Sequence, residues 1–178
     1  MKVAITGHTR GIGAEIHKYF SDQGHECIGF SRANGHDITN IDDRKKIVEA
    51  AADCDVFVNN ACSLTDDSQF ELLSSVHKTF FGKSKIIINL SSVAGDMVGN
   101  NYYNKQSYAR QKEKLDNFCK LRNTYNGPWI INLKPGYVNT DNSVDDPSKV
   151  DVDSISYILD FILASKDRFK VRSITFGK

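Results

Sequence analysis

Tyr108 and Lys112 stand four residues apart within NNYYNKQSYARQKEK (100–114). On a helix that spacing stacks two side chains on one face, about 6 Å apart along the axis. A free tyrosine, with a pKa of about 10, exchanges protons poorly near neutrality. A neighbouring cation favours the phenolate and pulls that pKa down. Hydride transfer to a carbonyl leaves an oxyanion that needs a proton, so a reductase needs an acid beside the carbonyl oxygen. Tyr108 is the candidate acid, and Lys112 the cation that tunes it and reaches a ribose hydroxyl. Ser92, at the end of the preceding strand-like run, can hydrogen-bond the same substrate oxygen.

The helix pattern supports this choice of lysine. Tyr108, Leu115, Phe118/Cys119 and Tyr125 form a stripe expected to face the protein, and Lys112 falls on it while Lys114 and Lys120 do not. An ammonium on an inward face needs a partner, because burying an unpaired charge is costly. Tyr102 and Tyr103 have Gln106 and Ser107 four residues on, so neither has a lysine partner. They are expected on the approach to the helix, either lining a substrate opening or simply packed.

The elements that must position these groups alternate along the chain. KVAIT, ECIGF, DVFVNN, KIIINL, WIINLKP and VRSITF are short β-branched runs, with helical spacing in GIGAEIHKYFSDQG and DDRKKIVEAAADC between them. Ile12, Ile16 and Tyr19/Phe20 make an apolar stripe that Gly24 ends. Runs as apolar as IIINL suit strands covered on both faces of a parallel sheet. The expected fold is α/β: a Rossmann-type, doubly wound parallel sheet in a three-layer α/β/α sandwich, forming a single domain over 1–178. The polar stretch 139–153 is the expected flexible piece.

TGHTRGIG, Thr6 to Gly13, follows the first strand and opens the first helix. Glycines there let backbone amides approach a pyrophosphate at a helix N-terminus, where the dipole favours negative charge. Gly7, Thr9, Arg10, Gly11, Ile12 and Gly13 are therefore expected to hold a dinucleotide. A site for the non-phosphorylated dinucleotide usually has an acidic residue at the end of the second strand. Here that strand ends in GFSRANG, with Arg32 in place of the acid, and Arg10 sits inside the turn. Two guanidiniums suit a 2′-phosphate, which predicts NADP(H) in preference to NAD(H).

With 23 basic and 22 acidic residues, no charge excess argues for nucleic acid or a membrane surface. No apolar run is long enough to span a bilayer, and MKVAITG lacks a secretory pattern. The four cysteines show no CxxC spacing. They read as reduced thiols of a cytoplasmic protein, without a metal site.

TGxxxGxG is followed in order by HDIT (36–39), VNNAC (58–62), INLSSVAG (88–95), YARQK (108–112) and LKPGYVNT (133–140). Together these motifs, spanning Val3 to about Thr140, closely resemble the short-chain dehydrogenase/reductase family. The resemblance implies Asp37 and Ile38 against the adenine, with Asn60 and Ala61 shaping the floor beside the cofactor. It implies Ser92, Tyr108 and Lys112 as the catalytic set, and Pro135, Gly136, Val138 and Thr140 at the nicotinamide end.

The chain would be a compact member. Only four residues separate Arg32 from Asp37, so a helix and an edge strand of the family are missing, leaving about six strands in the order 2-1-3-4-5-6. The stretch from Cys62 to Lys85 has room for one brief helix, on which the family's catalytic asparagine has no clear match. His77 and Thr79 on that helix receive no role. Cys62 replaces a glycine, and no base that would activate it is evident. The expected activity is NADPH-dependent reduction of a small-molecule carbonyl, or the reverse, with a homodimer preferred over a tetramer. The alternatives are an NADP(H)-binding protein with reduced catalysis and an epimerase- or dehydratase-like enzyme on a nucleotide sugar.

Overall fold

The computed structural model describes residues 1–140 and 146–178. In chain order the elements are β1 (Lys2–Thr6), α1 (Gly11–Asp22), β2 (Glu26–Phe30), α2 (Ile41–Ala51), β3 (Val56–Asn59), α3 (Ser68–Phe80), β4 (Ile86–Leu90), α4 (Gln106–Arg122), β5 (Trp129–Pro135), β6 (Val138–Asn139), β7 (Val150–Asp151), α5 (Ser154–Ser165) and β8 (Ser173–Phe176). Six strands form one sheet in the order β2-β1-β3-β4-β5-β8, every neighbouring pair parallel. This is the expected order, with no further strand outside β2 among the described residues.

Strand alternation divides the core into two layers. Val3, Ile5, Val56, Val58, Ile88, Ile131 and Leu133 pack on Ile16 and Phe20 of α1 and on Ile155, Leu159 and Ile162 of α5. Ala4, Phe57, Ile87 and Ile130 face the other way, onto Ile47 of α2, Leu72, Leu73, Val76 and Phe80 of α3, and Leu115 and Cys119 of α4. Both sheet faces are therefore covered, which is why the strands read as continuous apolar runs. Helix α2 starts cleanly: the Asn40 side chain accepts from the amides of Asp42 and Asp43, whose carboxylates complement the helix dipole.

One expectation changes here. Helix α4 buries Ala109, Lys112, Leu115 and Cys119, with Tyr108 and Phe118 half-buried. Tyr125, assigned to the same stripe, is fully exposed. The helix ends at Arg122, and Asn123 turns the chain by donating to the Ile130 carbonyl at 2.6 Å, so helical periodicity no longer applies beyond it. Within and beside the stretch 139–153, β6 and β7 pair in parallel through Val138–Val150 and Asn139–Asp151. Residues 141–145 of that stretch lie outside the described residues. Among the described residues no helix is long and apolar enough to cross a membrane.

Candidate active site

The turn after β1 is held against the end of β3 by side chains. Thr6 Oγ1 accepts from the amides of Asn60 (3.0 Å) and Ala61 (3.1 Å). Asn60 Nδ2 donates to the carbonyls of Thr6 (3.0 Å) and Gly7 (3.1 Å), and the Gly7 amide donates to Phe30 at the tip of β2. This packing dictates the glycines. A Cβ on Gly13 would lie 2.1 Å from the Gly7 carbonyl oxygen, and Gly7 itself has φ of +70°. Arg10 enters α1 in extended backbone, and among the described residues no side chain caps the helix and no acid lies in its first turn. An uncapped helix N-terminus behind a glycine turn is chemistry that suits a pyrophosphate, through its backbone amides and the helix dipole.

A cavity of about 660 Å³ spreads from this turn across the end of β2. Gly7, Thr9, Arg10, Arg32, Asp37, Ile38, Asn60 and Ala61 line it. The Asp37 carboxylate is engaged locally, accepting from the amide and hydroxyl of Thr39 at 2.9 Å each. Neither Arg10 nor Arg32 pairs with a carboxylate among the described residues, and both are exposed. Gly11 and Gly13 lie outside this lining, and Gly11 instead backs onto Thr140, whose Cγ2 a Cβ there would meet at 3.2 Å.

A second cavity, about 940 Å³, opens beside the first over the C-terminal ends of β4 and β5, sharing Asn60, Cys62 and Leu64 with it. Ser92, Tyr108 and Lys112 line this space together with Ile12, Pro135, Gly136, Val138 and Thr140. Ser92, rather than Ser91, faces the cavity: Ser91 is buried with its hydroxyl toward the Lys112 carbonyl, whereas Ser92 caps the short 3-10 turn Val93–Met97. Tyr103 joins the lining, while Tyr102 points fully into solvent.

The electrostatics differ from the expectation that Lys112 lowers the pKa of Tyr108. Burial pushes the Tyr108 phenol up to about 12, Cys62 and Tyr103 add to the rise, and only the Ser92 hydroxyl pulls it down. Lys112 Nζ sits over the Tyr108 ring, 5.3 Å from its centroid, and donates to Gln69 Oε1 (2.8 Å) and the Leu90 carbonyl (3.1 Å). Desolvation therefore dominates Tyr108. Burial likewise holds the Lys112 amine below its ordinary range, opposed by Cys62 and Asp116. Cys62, read as lacking any activating neighbour, has this amine beside it.

Gln69 is the residue that sequence reasoning passed over. It lies in the first turn of α3 and is 4% exposed. The signal was present: Gln69 precedes Leu72/Leu73, Val76 and Phe80 on the inward stripe, a polar residue where an apolar one is due. Lys134 is a second omission, bridging Asp96 of the 3-10 turn (2.6 Å) and Asp116 of α4 (3.0 Å).

No family model and no curated protein sequence matches the chain. Solved structures do. A 3-alpha-hydroxysteroid dehydrogenase from Pseudomonas sp. B-0831 complexed with NADH superposes with a TM-score of 0.79 at 19% identity, over 99% of this chain and 94% of that one. A serine dehydrogenase complexed with NADP+ gives 0.76 at 16% identity, over 100% and 95%. A short-chain dehydrogenase from Sphingobium yanoikuyae in complex with NADPH gives 0.74 at 17%, over 98% and 86%. The chain has the fold of the short-chain dehydrogenases.

Proposed function

We propose that this chain is an NADPH-dependent oxidoreductase of the short-chain dehydrogenase/reductase family, interconverting a carbonyl and an alcohol. The observation that carries this reading is the convergence of Ser92, Tyr108 and Lys112 on one cavity that adjoins the glycine-turn cavity. The turn from Gly7 to Gly13 would hold the pyrophosphate, Arg10 and Arg32 a 2′-phosphate, Asp37 and Ile38 the adenine side, and Pro135, Gly136, Val138 and Thr140 the far end. A nicotinamide bound there supplies or accepts the hydride. Tyr108 gives its phenolic proton to the oxygen of the carbonyl being reduced and takes it back in the reverse direction. Ser92 donates a hydrogen bond to the same oxygen, and Lys112 reaches toward the ribose. A phenol is already protonated at neutral pH, and burial raises its pKa further, so the proton is in place before reduction begins.

The walls support a substrate class. Leu64, Val93, Met97, Tyr103 and Tyr137 surround the space beyond Tyr108, with no carboxylate among the described lining residues. Such walls favour a bulky apolar ketone over a sugar or an amino acid.

Steady-state assays with NADPH and a panel of ketones, quinones and 3-oxoacyl thioesters test the reading. Turnover is expected, falling on the order of 100-fold or more in Tyr108→Phe. Tyr108→Phe with full turnover refutes the mechanism. Tight NADPH binding without turnover of any panel member would instead make the chain a cofactor-binding protein.

A further inference from the structure

We propose that Gln69 is the positioning residue for Lys112, holding its amine between α3 and the end of β4 through a polar circuit that starts and finishes on α4. The role assigned to Lys112 rests on the oxidoreductase reading above. The orientation of Gln69 follows from its partners. Its Nε2 lies 3.0 Å from the Asn59 carbonyl and 2.9 Å from the Leu90 carbonyl. Carbonyls only accept, so the amino end must face them, which leaves Oε1 as an acceptor aimed at Lys112 Nζ, 2.8 Å away. Lys112 is 3% exposed, so its polar head depends on such fixed acceptors.

The support beneath Gln69 is a row of amides across the sheet. Asn59, Asn89 and Asn132 occupy matched positions on β3, β4 and β5. Asn59 Nδ2 donates to the Gln69 carbonyl (3.2 Å) and to Asn89 Oδ1 (2.8 Å). Asn89 Nδ2 donates to Asn132 Oδ1 (2.7 Å), and Asn132 Nδ2 to Asp116 Oδ1 (2.8 Å). The Asp116 carboxylate, also paired with Lys134, fixes the direction of every amide in the row, since an ionised carboxylate can only accept. Asp116 lies one turn beyond Lys112 on the same helix, which closes the circuit. The titratable groups facing Lys112 are Tyr108 and Asp116 from α4 and Cys62 from the segment after β3. Gln69 from α3 and the Leu90 carbonyl from β4 complete its surroundings.

The test compares Gln69→Met, which keeps the shape and removes the acceptor, with Gln69→Glu, which keeps an acceptor and adds charge. The side-chain amine of Lys112 is followed by 15N NMR in the full chain, assigned with Lys112→Met, alongside kcat and KM across pH. Gln69→Met should lower the Lys112 titration midpoint by about one unit and Gln69→Glu should raise it by a similar amount, each unit being a tenfold change in the protonation equilibrium. Gln69→Met should also cut kcat about tenfold with KM changed less than about twofold. Opposite shifts are a signature that loss of packing alone would not give. Should a variant fail to fold, the wild type still decides: a hydrogen-bonded Lys112 amine shows slowed hydrogen exchange, and rapid exchange overturns the proposal. An active wild type whose Lys112 midpoint is unmoved in both folded variants overturns it as well. An inactive wild type with opposite shifts supports the position of Gln69 and retires the oxidoreductase reading.

Discussion

Gly13→Ala tests whether the first turn is built as tightly as it looks. The added methyl would sit 2.1 Å from the Gly7 carbonyl oxygen, 2.4 Å from Asn60 Nδ2 and 2.9 Å from the Gly7 carbonyl carbon. Two of these atoms are backbone, so no side-chain rotation relieves the clash. The third belongs to the amide that joins the turn to β3, so the turn and the end of β3 must separate together. Overpacking of this kind costs about 1–3 kcal/mol, and a clash with backbone belongs at the upper end. At about 2–4 °C per kcal/mol for a chain of this size, Tm should fall by roughly 6–12 °C. Affinity for NADPH should fall by more, because the amides that would face the pyrophosphate are displaced; a loss on the order of 100-fold is expected, about 2.7 kcal/mol. Thermal unfolding followed by circular dichroism and a fluorescence titration with NADPH provide the two readings. Gly24→Ala is the control: its φ is +74° but nothing lies within 4 Å of the added Cβ, so it should cost about 1–2 kcal/mol of stability and leave NADPH affinity unchanged. If Gly13→Ala keeps wild-type Tm and wild-type affinity, the close approach of Gly7, Gly13 and Asn60 is wrong.

Arg10→Ala combined with Arg32→Ala should weaken NADPH binding about tenfold or more and leave NADH within about twofold, read by titration with each cofactor. Lys134→Met removes the cation paired with Asp116, a mostly buried carboxylate left with the Asn132 amide, and should cost about 2–3 kcal/mol; a Tm drop near that of Gly13→Ala, with NADPH affinity retained, checks it. The pH dependence has a defined sign. Folding raises the Tyr108 pKa from 10.0 to about 12, so the folded chain holds that proton more tightly than the unfolded one. The contribution is fully present below pH of about 10 and is lost as pH rises toward about 12. Denaturant titrations across that window should show stability falling with pH, less steeply in Tyr108→Phe; equal slopes would contradict the burial of this phenol.

How much of this was legible depends on which physical signal each feature leaves in the sequence. The strands announced themselves because a sheet covered on both faces favours near-continuous apolar runs, as in VFVN and IIINL. The strand order came with the resemblance to the short-chain dehydrogenase/reductase family, and the short path between Arg32 and Asp37 removed one crossover from it. Lys112 stood out as a charge on an apolar stripe, and its burial answers that pattern. Gln69 obeys the same logic on α3, but a single neutral amide is a weaker break in a stripe than an ammonium. Tyr125 misled because periodicity carries no information about where a helix stops, and Asn123 stops it through a bond to β5, far along the chain. The direction of the Tyr108 shift was not accessible at all. Spacing gives the separation of Tyr108 and Lys112 along the helix, whereas the sign depends on how deeply the ring is buried and which way the amine turns.

The row of asparagines has a consequence for how the chain finds its own pairing. VFVN, IIIN and the WIIN of β5 are nearly interchangeable apolar runs, and any two could zip together displaced by two residues with little loss of apolar contact. Each ends in an asparagine, and at the observed heights Asn59 donates to Asn89 and Asn89 to Asn132, leaving only Asn59 Oδ1 without a partner among the described residues. A two-residue slip would bury amides with nothing opposite, costing about 1–3 kcal/mol for each group left unmet. A one-residue slip would also turn the row toward α1 and α5. Three neutral side chains thus act as a vernier, telling otherwise ambiguous strands which neighbour to take and at what height.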